Sequence, residues 1–380
     1  MYKGTISDIL IKNTKLSANA DPVWLFLQTK GHKMAGSTLG NLFKITVLNG
    51  NDCDTVTIDG CPSGLSLSEN DIKNYLKKNK AYNNTVISIQ SGLYDGRTNG
   101  MPLIISATRG NAAKSGKLTA YRPGTPDYTF SEKYGHRYGT APFDDTACIL
   151  AGAVAVKILG ELGISFCTYV SSIGPVRISY SNSSLDSLSS SALNMPDSDA
   201  TERAAQYLDK LRSEGNTTGG VIECLVSGMP AGLGEPFFNG IDAVLAKALF
   251  SLTGVRGFEI GAGFDAASMK GSENNDAFTA DASGKITKKT NNAGGILGGI
   301  SDGSELVLRA AFSPSADISS EQETIDTNGK PAKIKNPDSH TVCTVPDSCL
   351  AVEAMTAITI TDMLFENMTS KLDKIVSFYK

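Results

Sequence analysis

Between Asn41 and Asp59 apolar and polar positions alternate, with Leu42, Ile45, Val47, Val56 and Ile58 on the apolar side and a break at Asn49-Gly50-Asn51-Asp52. A period of two predicts two strands joined by a turn. Ser68 with Asp71 three residues on is a helix-start pair, and Ile72, Tyr75 and Leu76 continue at helical spacing. Val86 to Leu93 and Met101 to Ala107 read as further strands. Asp144 to Leu162 carries a long Ala/Val/Ile face at helical spacing and predicts a buried helix. Beyond a serine-rich loop at 181–191, Ala200 to Ser213 reads as a charged amphipathic helix and Val221 to Val226 as a strand. Pro236 to Leu252 predicts a second buried helix, opened by proline. Residues 270–295 hold few apolar positions and read as a long flexible loop. Glu353 to Leu372 reads as the last helix. Hairpins alternating with long helices, without a regular βαβ repeat, predict an α+β fold.

Residues 1–33, with the lone Trp24, differ in pattern and read as an N-terminal extension before a single domain over 34–380. A chain of 380 residues is long enough for a sizeable core. Its 35 basic and 39 acidic residues give a formal charge of −4, with no basic excess to suggest nucleic acid. Seven cysteines, none in a CxxC pair, fit reduced thiols better than a disulfide framework or a zinc site. The longest apolar stretch, Ile149 to Leu159, is too short for a bilayer. These features predict a cytoplasmic protein with neither membrane nor metal.

The chemistry-bearing signal is a set of glycine blocks. Residues 228–264 read GMPAGLGEPFFNGIDAVLAKALFSLTGVRGFEIGAGF, 271–276 read GSENND, and 291–303 read NNAGGILGGISDG. Glycine-rich turns offer backbone N–H groups to an anion or a flat ring. Together with Arg122-Pro123-Gly124, Asp127-Tyr128, Lys133-Tyr134-Gly135, Ser172-Ile173-Gly174-Pro175 and Val352-Glu353-Ala354-Met355, these strings closely resemble chorismate synthase from about Met34 to Leu364. The resemblance implies a β-α-β sandwich with antiparallel sheets, usually a homotetramer. It also implies reduced FMN beside 5-enolpyruvylshikimate-3-phosphate and a trans-1,4-elimination of phosphate. It assigns cofactor contacts to Asn275, Gly294, Gly295, Gly298, Gly299 and Ser301, and a substrate contact to Arg122.

The chain departs from the family pattern where the chemistry sits. The family's Gly-Glu-Ser-His-Gly turn reads Leu48-Asn49-Gly50-Asn51-Asp52-Cys53-Asp54 here, without histidine. The histidine after Arg-Pro-Gly is Thr125, and the arginine of Arg-Glu-Thr-Ala is Asp144. The late Gly-Arg-His-Asp reads Asp338-Ser339-His340-Thr341, and the lysine expected to hold the FMN phosphate is Ser313, with Asp317 nearby. One general acid or base contributes ~10²–10⁴ in rate. Their loss predicts a diverged paralogue with impaired catalysis and a structural or regulatory role, alone or co-assembled with an active copy. The alternatives are a lyase using the pocket on another ligand, or a chorismate synthase with relocated acids.

Further candidates each carry two readings. His340 is a remnant acid or a loop histidine, and His136 beside Arg137 is a stand-in for a lost histidine or neither. Asp144 and Asp145 form a carboxylate pair or metal site, or cap a helix. Lys77, Lys78 and Lys80 bind phosphate or solvate a helix end, and Cys53 is a nucleophile or an inert thiol.

Overall fold

The computed structural model describes residues 37–49, 53–108, 119–135, 145–282, 284, 286–335 and 341–380. Its first half holds strands β1 (Thr38–Leu39), β2 (Lys44–Asn49) and β3 (Cys53–Asp59), helix α1 (Glu69–Leu76), then β4 (Val86–Ser91), the β5–β6 hairpin (Leu93–Tyr94, Arg97–Thr98) and β7 (Leu103–Thr108). Helices α2 (Asp127–Tyr134) and α3 (Thr146–Gly160) lead into β8 (Ser165–Ile173), β9 (Val176–Arg177), α4 (Ser198–Ser213) and β10 (Gly220–Ser227). Next come α5 (Ile241–Leu249), β11 (Val255–Ile260), the single turn α6 (Gly271–Asn274) and two hairpins, β12–β13 (Phe278–Ala280, Ile286–Lys288) and β14–β15 (Ile296–Leu297, Ile300–Ser301). Strand β16 (Leu306–Phe312), the hairpin β17–β18 (Gln322–Ile325, Pro331–Ile334), α7 (Val345–Asn367) and α8 (Leu372–Tyr379) complete the described chain.

Two five-stranded antiparallel sheets, ordered β1-β2-β3-β7-β4 and β11-β16-β10-β8-β9, face a shared layer of helices. Helix α3 packs on the first sheet and α7 on the second, and the two helices pack on each other. The outcome is the α+β sandwich that the pattern and the resemblance predict, and Thr38 to Lys380 is one compact unit. Alternation explains how the sheets meet the helices. On β16, Leu306, Leu308, Ala310 and Phe312 are buried, while Val307, Arg309 and Ala311 face away. Gly152 sits where α3 meets α7, and a Cβ there would come within 2.6 Å of the Ala354 Cα.

Helix α7 is apolar all round, which suits a helix enclosed by protein. It is long and apolar enough to cross a membrane, yet 83% of that stretch is buried inside the molecule. Its buried polar groups are satisfied: Thr356, Thr359 and Thr361 donate to the carbonyls four residues back. Asp362 accepts from the backbone N–H groups of Asn41, Leu42 and Phe43, fixing the turn before β2.

Several boundaries differ from the sequence reading. Phe237, with φ of 66°, breaks the run after Pro236, so a 3-10 turn at Phe237–Asn239 precedes α5. The last predicted helix begins earlier, at Val345 with proline in its first turn, and ends at Asn367, leaving α8 separate. Part of the serine-rich loop is a 3-10 helix, Leu185–Ser190. The loop predicted over 270–295 contains α6 and β12–β13, held by an ion-pair node set out below. The extension over 1–33 and the turn residues 50–52 lie outside the described residues.

Candidate functional site

A cavity of about 290 Å³ opens where the N-terminal ends of α3 and α7 meet the turn after α1. The capping box of Ser68 and Asp71 starts α1, and the helix delivers Asn79, Ala81 and Tyr82 to one wall. Asn79 fastens this wall: its Nδ2 donates to the Asp347 carbonyl at 2.7 Å and its Oδ1 accepts from the Ala81 N–H at 2.8 Å. Asp145 and Ile149 come from α3, and Thr341, Thr344, Asp347, Ser348 and Ala351 from α7 and its approach, with Thr253 opposite.

The electrostatics are acidic. Asp145 occupies the N-cap position of α3 without a side-chain capping bond, and Asp347 lies in the first turn of α7. Both add negative charge at helix N-termini, where the dipole favours it. Burial pushes the Asp347 carboxyl above the usual carboxylate range. Among the described residues lining the cavity there is no lysine, arginine or histidine.

The candidate cations do not line this wall. Arg122 makes a fork with Asp127, Nε at 2.9 Å and Nη2 at 3.0 Å, and Asp127 is buried. Asp317 lies 4.0 Å from Nη1. Lys78 pairs at 2.6 Å with Glu353, itself buried in α7, so this lysine belongs to the core edge rather than to a phosphate site. Among the described residues Lys77 reaches only Asn74, and Lys80 is exposed. Thr125, where the family has histidine, donates to the Arg122 carbonyl at 2.9 Å. The Ser313 hydroxyl donates to the Gly254 carbonyl at 3.2 Å, next to Thr253 on the rim. Among the described residues, Cys53 has only Thr55 and the Asp54 carbonyl within reach. His340, His136, Arg137 and Asp144 lie outside the described residues.

The glycine block does not line this cavity. It folds back on the chain: a Cβ on Gly294 would lie 2.6 Å from the Gly261 Cα, and Gly298 and Gly299, both with positive φ, form the β14–β15 turn. The sequence reading left its N–H groups free for an anion. At the start of the block the anion is internal: the N–H groups of Asn292 and Ala293 donate to the Asp276 carboxylate at 2.8 and 2.9 Å. Gly294 and Gly295 donate to Asn291, and Ser301 pins the 228–234 loop, donating to the Pro230 carbonyl and accepting from the Leu233 N–H. Asn275 is exposed and ends α6.

Sequence reasoning missed two buried charge networks. Lys288, 3% exposed, bridges Asp276 at 3.3 Å and Asp302 at 2.6 Å. Burial alone would raise the Asp276 carboxyl, but bonds from Thr290, the Ala293 and Asn292 amides and Lys288 bring it down to about 2. On the outer face of the second sheet, Glu223 accepts from Tyr169 and Tyr180, and Arg309 links it to Glu259. Burial foremost pushes the Tyr180 hydroxyl up to about 12. Only Glu223 lay on a strand read from the sequence; the strands that carry Glu259 and Arg309, Val255–Ile260 and Leu306–Phe312, were not read, so their shared face gave no signal. Among the described residues no group of three metal-ligating side chains comes together.

Comparison with known proteins covers nearly the whole chain. The family model for chorismate synthase matches residues 50–365. Chorismate synthases from Lachnoclostridium phytofermentans and Agathobacter rectalis are each 42% identical over 366 residues, spanning 91% of this chain and 100% of theirs. That of Syntrophus aciditrophicus is 38% identical over 356 residues, spanning 87% of this chain and 98% of its own. A solved crystal structure of chorismate synthase superposes with a TM-score of 0.72 at 24% identity, covering 90% of this chain and 97% of that one, a likeness of fold.

Proposed function

Because this chain belongs to the chorismate synthase family, we propose that it is a diverged member that keeps the sandwich and has lost most or all of the family's catalysis. Its role on this reading is structural or regulatory, in a cytoplasmic homotetramer or together with an active paralogue. The observation that carries the reading is the helix-end cavity, whose described wall presents Asp145 and Asp347 and no cation.

The family reaction expels phosphate from a trianionic ester, so it needs cations and proton donors around the leaving group. Carboxylates on that wall oppose such an anion rather than attract it. Thr125 in place of the second histidine offers no titratable proton near neutrality.

The residues present do not fit FMN at its phosphate end. Asp276 holds the Asn292 and Ala293 amides and Ser313 is spent on a backbone carbonyl, while the substrate candidate Arg122 is held by Asp127. No catalytic step is therefore routed through flavin, and His340 stays the candidate for any residual acid role. The open cavity, lined by Tyr82, Thr253, Thr341, Thr344 and Ser348, favours one second reading: a polar, uncharged or cationic ligand bound there.

The test supplies purified protein with chemically reduced FMN and 5-enolpyruvylshikimate-3-phosphate under anaerobic conditions and measures chorismate and phosphate. Product at the level of the blank is expected. Turnover, or growth of a strain lacking chorismate synthase when this chain is its only copy, would overturn the proposal.

A further inference from the structure

A larger cavity, about 730 Å³, lies elsewhere in the fold, between helix α8 and the end of α7. Its floor is apolar, with Ile164, Leu233, Leu364 and Met368 from the body of the sandwich. Its roof is α8, which presents Ile375, Phe378 and Tyr379. A gap of this size between two apolar surfaces lies within the ~300–1,000 Å³ range of small-molecule sites.

The attachment of α8 points the same way. It follows a turn at Met368–Ser370, where Thr369 and Ser370 bond back to Glu366 and Asn367. Among the described residues no hydrogen bond or ion pair joins α8 to the body of the protein, and none of its residues is fully buried. Leu372 and Phe378 are 74% and 75% exposed. The helix is held over the gap by partial apolar contact alone, the low-stability attachment expected of a lid.

One charged side chain lines the cavity, Lys374, which has no ion pair among the described residues. Asn367 and Thr369 add polar groups, and no carboxylate lines the wall. An apolar trough with a single cation is complementary to a molecule with an apolar body and one negative end. We propose that this cavity binds an amphipathic monocarboxylate, its alkyl or aryl body beneath α8 and its carboxylate against Lys374. The site is separate from the helix-end cavity and does not depend on the reading given for it.

The test is calorimetric titration of the full chain with dodecanoate below its micelle concentration. Saturable binding with a dissociation constant of about 0.1 mM or tighter is expected. Lys374→Gln, an exposed position, should weaken dodecanoate about three- to tenfold and leave dodecanol unchanged. Met368→Trp, also exposed, should fill the trough and abolish binding of both, with the thermal unfolding midpoint confirming the fold. Absence of saturable binding overturns the proposal, as does dodecanoate affinity that neither substitution changes. So does a concentration-dependent oligomer, seen by sedimentation and broken by Met368→Trp, in a protein that does not take dodecanoate, since α8 would then serve self-association.

Discussion

Lys288 holds two buried carboxylates on one ammonium, Asp276 and Asp302, and removing it leaves both without their counter-charge. Breaking a buried pair by deleting one partner costs about 3–5 kcal/mol. Lys288→Met should therefore accelerate amide exchange at Asn292, Ala293 and Gly295 by about 100-fold or more, because those amides are bonded inside this node. Lys333→Met, at an exposed pair with Glu321, should leave exchange and unfolding almost unchanged. The pH dependence follows in sign. Asp276 has a depressed carboxyl in the folded state, so its contribution is complete above the unfolded carboxylate range near 4 and fades as pH falls toward about 2. Urea unfolding between pH 5 and 2 should show that loss in the parent, and a smaller one in Asp276→Asn. The node was illegible from sequence because Asp276 and Lys288 lie in a polar stretch, where Gly, Ser and Asn resemble an unstructured loop, and Asp302 lies in a separate glycine block. Only the register of β12 on β13 brings Lys288 inward.

At the scale of elements, the α3–α7 contact depends on one missing side chain. Gly152→Ala gains about 1 kcal/mol of helix propensity in isolation. In the fold its Cβ would overlap Ala354, and overpacking costs typically about 1–3 kcal/mol and more when backbone must move. The net change should be a lower thermal midpoint, partly restored by Ala354→Gly and measured by circular dichroism in a double-mutant cycle. Elements with local causes were readable in advance. Ser68 and Asp71 start α1 at the predicted position, and the alternation over 41–59 becomes the β2–β3 pair with Val47 opposite Val56. Elements shaped by burial were less so. A helix enclosed on all sides has no polar face to mark its start, so α7 was read from Glu353 although Thr344-Val345-Pro346 opens it. Its end at Asn367 hid behind α8, whose apolar residues continue the hydrophobic run.

Over the whole molecule, shape and chemistry rest on different residues. Glycines, alternating strands and paired core helices specify a backbone, and that backbone superposes on a chorismate synthase structure at 24% identity. Charges decide what such a backbone binds. The histidine and arginine positions could be compared with the family pattern in sequence, but the commitment of Arg122 to Asp127 and of the 291–295 amides to Asp276 and Asn291 needed three dimensions. If carboxylates at the helix-end cavity are what now repel anions, neutralising them should act in a definite direction. Asp145→Asn with Asp347→Asn removes two negative charges while keeping the side-chain volumes and the helix starts. FMN titrated against the parent by fluorescence quenching should show no saturation to about 100 μM. The double variant should bind FMN at least tenfold more tightly than the parent, a change of about 1.4 kcal/mol, well within the repulsion of two carboxylates. It should still form no chorismate, because relief of repulsion supplies no proton donor. Low-micromolar FMN affinity in the parent would show that the acidic wall is not the barrier, and the case for lost cofactor chemistry would fall with it.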